Sequence, residues 1–254
     1  MICAILQARM GSTRLPGKVL TPIAGKALIA HMTDRLKKSR YVSHFIVATT
    51  TNPEDDALAK WCEESGIPCF RGSDWDVLDR FYQACVSLPE TPQHVVRICC
   101  DNPLHHHATM DEVIRNYFHY GVDYCSNSNY EPLYLEDGFD TEICSFAALE
   151  KAWTEAKMLS EREHVTPYIK QSPAFSKYWR KTNDQYTFKL SVDTESDRLM
   201  TERIFGSFPD PLSFDMKDVI YLLQSHPEIR NINKESSINE GYAKSLREDR
   251  QVYE

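Results

Sequence analysis

The sequence predicts a doubly wound α/β fold with a mostly parallel sheet. Two observations predict it. Short β-rich apolar runs alternate with amphipathic stretches of helical length through the first half of the chain, and a loop rich in glycine and cations follows the first run directly. Strands joined through helices of that length need crossover connections, which give a parallel sheet covered on both faces. In such sheets ligands lie beyond the carboxyl ends of the strands, so the loops after Leu6, Thr50, Phe70 and Ile98 should face one crevice.

In order, strands are expected at Ile2 to Leu6, His44 to Thr50, Ile67 to Phe70, His94 to Ile98 and Asp123 to Cys125. Helices are expected between them at Ala27 to Lys38, Glu54 to Ser65, Asp74 to Val86 and Met110 to Tyr120. The stretch from Asn127 to Asp140 is polar and turn-rich. A strand at Thr141 to Ser145 follows, then helices at Phe146 to Lys157 and Ser160 to Gln171, with Ser160 and Glu163 spaced as a capping box. A strand at Thr187 to Val192 and a helix from Glu195 to Phe205 should return the chain to the main sheet. Another helix is expected at Asp215 to Gln224, with the acidic start of that segment capping it. One domain over 1–254 is expected, with 127–186 as an insertion for acceptor binding and dimerisation and 226–254 as a polar C-terminal extension.

Composition narrows the partners. The 29 basic and 37 acidic residues leave a net charge of -8, which repels polyanions and argues against nucleic acid. No apolar run reaches the roughly 20 residues of a membrane span, and Arg9 and Arg14 follow the first apolar run too closely for a signal peptide, so a cytoplasmic location is expected. The eight cysteines form no Cys-x-x-Cys pair and sit within or beside apolar segments, as buried free thiols do. Adjacent residues do not converge on one ion, so His105, His106 and His107 read as a solvated turn before a helix.

The run Gln7-Ala8-Arg9-Met10-Gly11-Ser12-Thr13-Arg14-Leu15-Pro16-Gly17-Lys18 has the chemistry of a phosphate loop. Backbone N–H groups beside glycine, small hydroxyls and three cations are what a triphosphate needs. It is not a Walker A loop, because five residues separate Gly11 from Gly17 and Val19 stands where a magnesium-binding hydroxyl belongs. Nor does it contain the Gly-x-Gly-x-x-Gly of dinucleotide binders.

This run resembles the signature loop of the CTP-dependent sugar cytidylyltransferases, the family that activates Kdo and sialic acids, and most of all the branch of the spore coat polysaccharide biosynthesis protein SpsF. The resemblance continues through Val47 to Asp56, Phe70 to Ser73, Val77 to Arg80, Ser160 to Tyr168, Val192 to Thr194 and Glu240 to Leu246. It implies a nucleotide-diphospho-sugar transferase fold of GT-A-like, Rossmann type, and transfer of CMP from CTP to a sugar, sugar acid or sugar phosphate with release of pyrophosphate. It also implies Mg²⁺ as cofactor and a homodimer, for which Phe139, Ile143 and Phe146 would be the apolar anchor.

By the same resemblance Arg9 and Lys18 grip the phosphates, assisted by Arg14 and by the backbone of Gly11 and Ser12, with Gln7 and Ala8 leading into the loop. Asp101 and Asp193, each just past a predicted strand, match metal positions of the family; a loop aspartate read alone is more often a cap or turn residue. Relatives carry Gly-Asp-Cys-Pro where this chain has Cys100-Asp101-Asn102-Pro103, so Cys100 should narrow the crevice or strain the loop. Thr49, Arg71 and Ser73 are implied cytosine contacts, and Arg71 has the alternative reading of a surface residue ending a strand. Asp140, Arg162 and His164 are assigned to the acceptor, the last two as a clamp for a carboxylate or phosphate. No general base is assigned. Two alternatives stay open: the same fold using another NTP or an alditol phosphate acceptor, and a nucleotide-binding regulatory protein that has lost catalysis.

Overall fold

The computed structural model describes residues 1–130, 133–134, 136–181, 188–238 and 240–253. Seven strands form the main sheet: β1 (Ile2–Gln7), β2 (His44–Thr50), β3 (Cys69–Gly72), β4 (His94–Cys99), β5 (Tyr124–Ser126), β6 (Glu142–Ser145) and β7 (Lys177–Trp179). Their order is β7-β5-β6-β4-β1-β2-β3. β1 pairs parallel with β2 and β4, and β2 with β3, while β6 runs antiparallel between β4 and β5. The register sets Gln7 opposite both Ala48 and Cys99. The loops after β1 and β4 therefore leave the sheet side by side at its carboxyl edge, the place where parallel sheets bind ligands.

The central strand is apolar on both faces, as a parallel strand covered on both sides must be. Ala4 and Leu6 pack into one core cluster with residues of α1 (Leu28–Leu36), α4 (His107–Tyr120), α8 (Glu195–Gly206) and α9 (Met216–Ser225). Cys3 and Ile5 pack into the other, with residues of α3 (Val77–Val86) and α5 (Phe146–Glu155). All eight cysteines are free thiols, six of them buried. Arg35 ties the layers together: its buried guanidinium donates to the carbonyls of Leu104 and His105, just past β4, and to those of Pro211 and Phe214, ahead of α9.

Several expectations need correction. No strand is present over residues 188–192, and Thr187 lies outside the described residues. The apolar alternation there is real, but the N–H groups of Leu190 and Ser191 bond the Asp137 carboxylate and that of Val192 bonds Asp101 O. The sheet instead ends on β7, three residues paired parallel with β5. The helix expected over Ser160 to Gln171 is two, α6 (Leu159–His164) and α7 (Pro167–Gln171), broken at Val165 with φ 72°. Glu161 rather than Glu163 caps α6, accepting from the N–H groups of Lys157 and Met158, while Ser160 is held by Asp249.

The histidine run is not a solvated turn. His105 is fully buried, with Nε2 3.0 Å from Thr141 Oγ1 and 3.1 Å from Asp140 O, and His106 caps α4 through Ala108 N–H. Phe139 and Ile143 are also fully buried, so these two are packed inside the subunit rather than offered to a dimer partner, while Phe146 is half-buried and stacks at 5.7 Å on Tyr82. Among the described residues no helix is long and apolar enough to cross a membrane.

Candidate active site

The phosphate loop is closed by its own backbone. Met10 O accepts from Ser12 N–H at 2.8 Å and Gly17 N–H at 2.9 Å, and Gly17 takes the left-handed φ of 70° that glycine tolerates without strain. A Cβ on Gly11 would stand 2.4 Å from Oε1 of the exposed Glu54 side chain, which would have to move aside. Asp55, fully buried, fixes the loop from outside: one oxygen accepts from Met10 N–H at 2.6 Å, the other from the N–H and hydroxyl of Thr50. Nothing local in the sequence singled out Asp55, because its partners lie on two different strand ends.

Three loops distant in sequence meet on Lys18. Its ammonium donates to Asp101 Oδ2 at 3.1 Å, to Asp193 Oδ1 at 2.8 Å and to Val192 O at 2.9 Å. Burial alone would lower the Lys18 pKa, but Asp101 and Asp193 outweigh it and the pKa is raised. Burial would raise Asp193, and Lys18 with Lys189, which sits 2.9 Å from Oδ2, instead hold it well below the carboxylate range. The Asp193 loop is held at the start of α8, where Asp197 accepts from the N–H groups of Asp193 and Thr194 at 3.0 and 2.9 Å. Two carboxylates converging on one cation suit a hard divalent ion, which needs few protein oxygens when phosphate and water complete its shell. No group of three or more such ligands occurs among the described residues.

Two cavities share this floor. The larger, about 500 Å³, is lined by Ala8, Arg9, Gly11, Ser12 and Lys18 of the phosphate loop and by Lys244 of α11 (Glu240–Arg247). The smaller, about 260 Å³, is lined by Asp137, Asp140, Glu142, His164 and Lys170. Gln7, Arg14, Asp101, Asp193 and Glu240 line both. A ligand in each cavity would therefore meet its neighbour over Asp101 and Asp193.

Within the smaller cavity Glu142 is the buried hub. It accepts from Arg97 Nη1 at 2.9 Å, Tyr124 Oη at 2.9 Å, Thr166 Oγ1 and Lys170 Nζ. Burial pushes its pKa up, but Lys170 and Arg97 overcome that and hold it at about 2. Asp140 accepts from the Ser128 hydroxyl; burial, with Asp137 nearby, raises its carboxyl to about 7. Arg97, Glu142 and Lys170 were missed from sequence because Arg97 and Glu142 are single charges in strands and Lys170 reads as helix surface. Their pairing needs the antiparallel β4–β6 register, which sets Arg97 opposite Glu142.

Of the expected site residues, the structure brings Gln7, Ala8, Arg9, Gly11, Ser12, Arg14, Lys18, Asp101 and Asp193 to the larger cavity, and Asp140 and His164 to the smaller. Arg9 is half exposed and pairs with Asp74 at 3.2 Å. Arg162 is not an acceptor residue. Its guanidinium is buried and grips Asp76 through Nε and Nη2, at 2.6 Å for the latter, with Tyr253 beneath at 4.8 Å. Burial, with Arg97 and Lys170 nearby, lowers His164 to about 3, so it faces the smaller cavity as a neutral imidazole at neutral pH.

Thr49, Arg71 and Ser73 line neither cavity. Thr49 is fully buried, Arg71 braces the loop after β2 by donating to Thr50 O and Asn52 O, and Ser73 Oγ accepts from Asp76 N–H. Cys100 lines the larger cavity, and it is not among the positive-φ non-glycine residues described, which are Ala24 and Val165.

A parallel-centred sheet with a phosphate loop, two facing aspartates and paired cavities at its carboxyl edge is the architecture of an α/β nucleotidyltransferase. The family model described as cytidylyltransferase matches residues 3–230, and the chain belongs to that family. An uncharacterized protein of Methanocaldococcus jannaschii is 37% identical over 236 residues, covering 91% of this chain and 94% of that one. The spore coat polysaccharide biosynthesis protein SpsF of Bacillus subtilis is 29% identical over 240 residues, covering 89% of this chain and 95% of that one. The solved structure of a cytidylyltransferase from Leptospira borgpetersenii superposes with a TM-score of 0.83 at 26% identity, covering 91% of this chain and 97% of that one.

Proposed function

We propose that this chain transfers CMP from CTP to a sugar-like acceptor and releases pyrophosphate. The observation that carries the reading is the shared floor: Asp101 and Asp193 border both cavities while Lys18 and Arg14 of the phosphate loop reach the same point. CTP would lie in the larger cavity with its triphosphate along Ala8 to Lys18. Lys18 and Arg14 would bear on the charge that develops as the bond between the α-phosphorus and the departing pyrophosphate breaks. An acceptor oxygen from the smaller cavity forms the new bond. Its hydroxyl proton would pass to the acceptor wall, where Asp140, raised to about 7 by burial and Asp137, is poised near neutral pH.

Asp101 and Asp193 would hold Mg²⁺, which when bound neutralises phosphate charge and polarises the phosphoryl oxygen. Lys18 stands between the two carboxylates, and with Mg²⁺ held there its ammonium would be free to turn toward the phosphates. CTP as the donor rests on family membership, since no side chain proposed for the base lines the cavity.

Pyrophosphate release should be measured with CTP, UTP, GTP and ATP, each with Mg²⁺ and a broad set of sugars, sugar acids and sugar phosphates. Release with CTP and one acceptor class supports the proposal. Release with another NTP alone would replace CTP as donor, and tight CTP binding with no release from any pair would indicate a regulatory nucleotide-binding protein.

A further inference from the structure

We infer that Lys244 of α11 binds the β- and γ-phosphates of the nucleotide, so that the C-terminal helix grips the pyrophosphate that departs. The inference rests on the nucleotidyl-transfer reading of the two cavities and concerns the larger one. α11 lies beyond residues 3–230, the part of the chain that the family model matches.

Position is the first observation. Glu240, Gly241, Lys244, Ser245 and Glu248 line the larger cavity, and residues so spaced lie on one face of a helix. That face already touches the phosphate loop, because Glu240 pairs with Arg14, and Lys244 stands one turn further on. Lys244 lines the larger cavity and not the smaller, whereas Asp101 and Asp193 line both. The α-phosphorus must sit over that shared floor to meet an acceptor, so a cation away from the floor meets the outer phosphates. The segment is fastened beside the cavity. Ser245 Oγ donates to Glu163 at 2.6 Å, Asp249 accepts from Ser160 N–H and Oγ at 2.9 and 2.8 Å, and Arg250 O accepts from Leu159 N–H at 2.8 Å. Ser245 is the one buried residue of α11, so the helix can adjust to a ligand without repacking an apolar core.

Charge is the second. Four cations line the larger cavity: Arg9, Arg14, Lys18 and Lys244. The three of the phosphate loop are held closely by carboxylates. Arg9 pairs with Asp74 at 3.2 Å, Arg14 with Asp193 at 3.1 Å as well as with Glu240, and Lys18 with Asp193 at 2.8 Å and Asp101 at 3.1 Å. Lys244 differs: among the described residues its carboxylate partner is Glu248 at 4.0 Å, and its side chain is 67% exposed. A long, exposed pair of that kind is worth little, so Lys244 gives up almost nothing on turning to a phosphate. Five carboxylates line the same cavity, Asp101, Glu163, Asp193, Glu240 and Glu248. A triphosphate adds further negative charge beside them, and Lys244 is the cation that α11 offers against it.

The test is calorimetric titration of CTP, CMP and inorganic pyrophosphate, each with Mg²⁺, into the full chain as wild type, Lys244→Gln and Lys244→Arg. Wild type that binds no CTP fails the nucleotide reading itself. Where wild type binds, Lys244→Gln should weaken CTP and pyrophosphate about tenfold, as for loss of one charge-assisted contact, and leave CMP within about twofold. Lys244→Arg, which keeps the charge, should hold CTP within about threefold of wild type. Unchanged CTP affinity in Lys244→Gln, an equal loss for CMP, or a loss as large in Lys244→Arg would overturn the inference and leave the nucleotide reading standing.

Discussion

The ammonium of Lys18 lies 2.8 Å from Asp193 Oδ1, a contact between residues 175 apart in sequence that joins the phosphate loop to the start of α8. Asp101, 83 residues from Lys18, completes the cluster. Replacing Lys18 by Met leaves two carboxylates facing one another without their shared cation. Turnover should fall by about 10² to 10³, as for loss of one preorganised transition-state donor. Steady-state pyrophosphate release checks this, and a loss below fivefold would remove Lys18 from the reacting centre.

Glu142 makes stability depend on acid. Its folded pKa of about 2 lies below the usual 4.5, so its contribution is present above about pH 4.5 and is lost as pH falls toward 2. Glu142→Gln leaves Arg97 and Lys170 without that carboxylate and should cost about 3 kcal/mol at pH 7. Urea midpoints of wild type and variant should differ at pH 7 and converge near pH 2; a constant difference would mean that Glu142 acts through packing alone.

The buried Arg162–Asp76 pair should matter for folding rather than for the acceptor. Arg162→Met strands Asp76, which also caps α3 through Asp79 N–H and accepts from Tyr253 Oη. The expected cost is about 3–5 kcal/mol by denaturant unfolding. The acceptor KM, measured where the variant is folded, should stay at the wild-type value; a selective rise in KM for acidic acceptors would restore Arg162 to the site.

Glu240 holds Arg14 from the far end of the chain through a partly exposed contact. Such pairs are worth about 0–1 kcal/mol, so Glu240→Gln should tighten CTP binding by at most about fivefold. Weaker binding would mean that Glu240 itself contacts the nucleotide or its metal.

Local chemistry was legible in the sequence where it is concentrated in one segment. The phosphate loop, its glycines, and Asp101 and Asp193 beyond strand-like runs all reach one floor. Partnerships were not legible. Arg162 looked like a ligand clamp because Asp76, its partner 86 residues away, leaves no trace near it. The run before Asp193 looked like a strand because alternation shows which faces are buried, not whether a neighbouring strand or the Asp137 carboxylate takes the N–H groups. The β7 strand was missed because three half-buried edge residues carry too short a pattern.

The most direct test of the account is calorimetric titration of CTP, with and without Mg²⁺, into wild type, Lys18→Met and Asp193→Asn. The account predicts Mg²⁺-dependent binding by wild type, weakening in Lys18→Met, and loss of the Mg²⁺ dependence in Asp193→Asn. Binding that ignores Mg²⁺ and both substitutions would place the nucleotide away from Lys18 and Asp193 and contradict it.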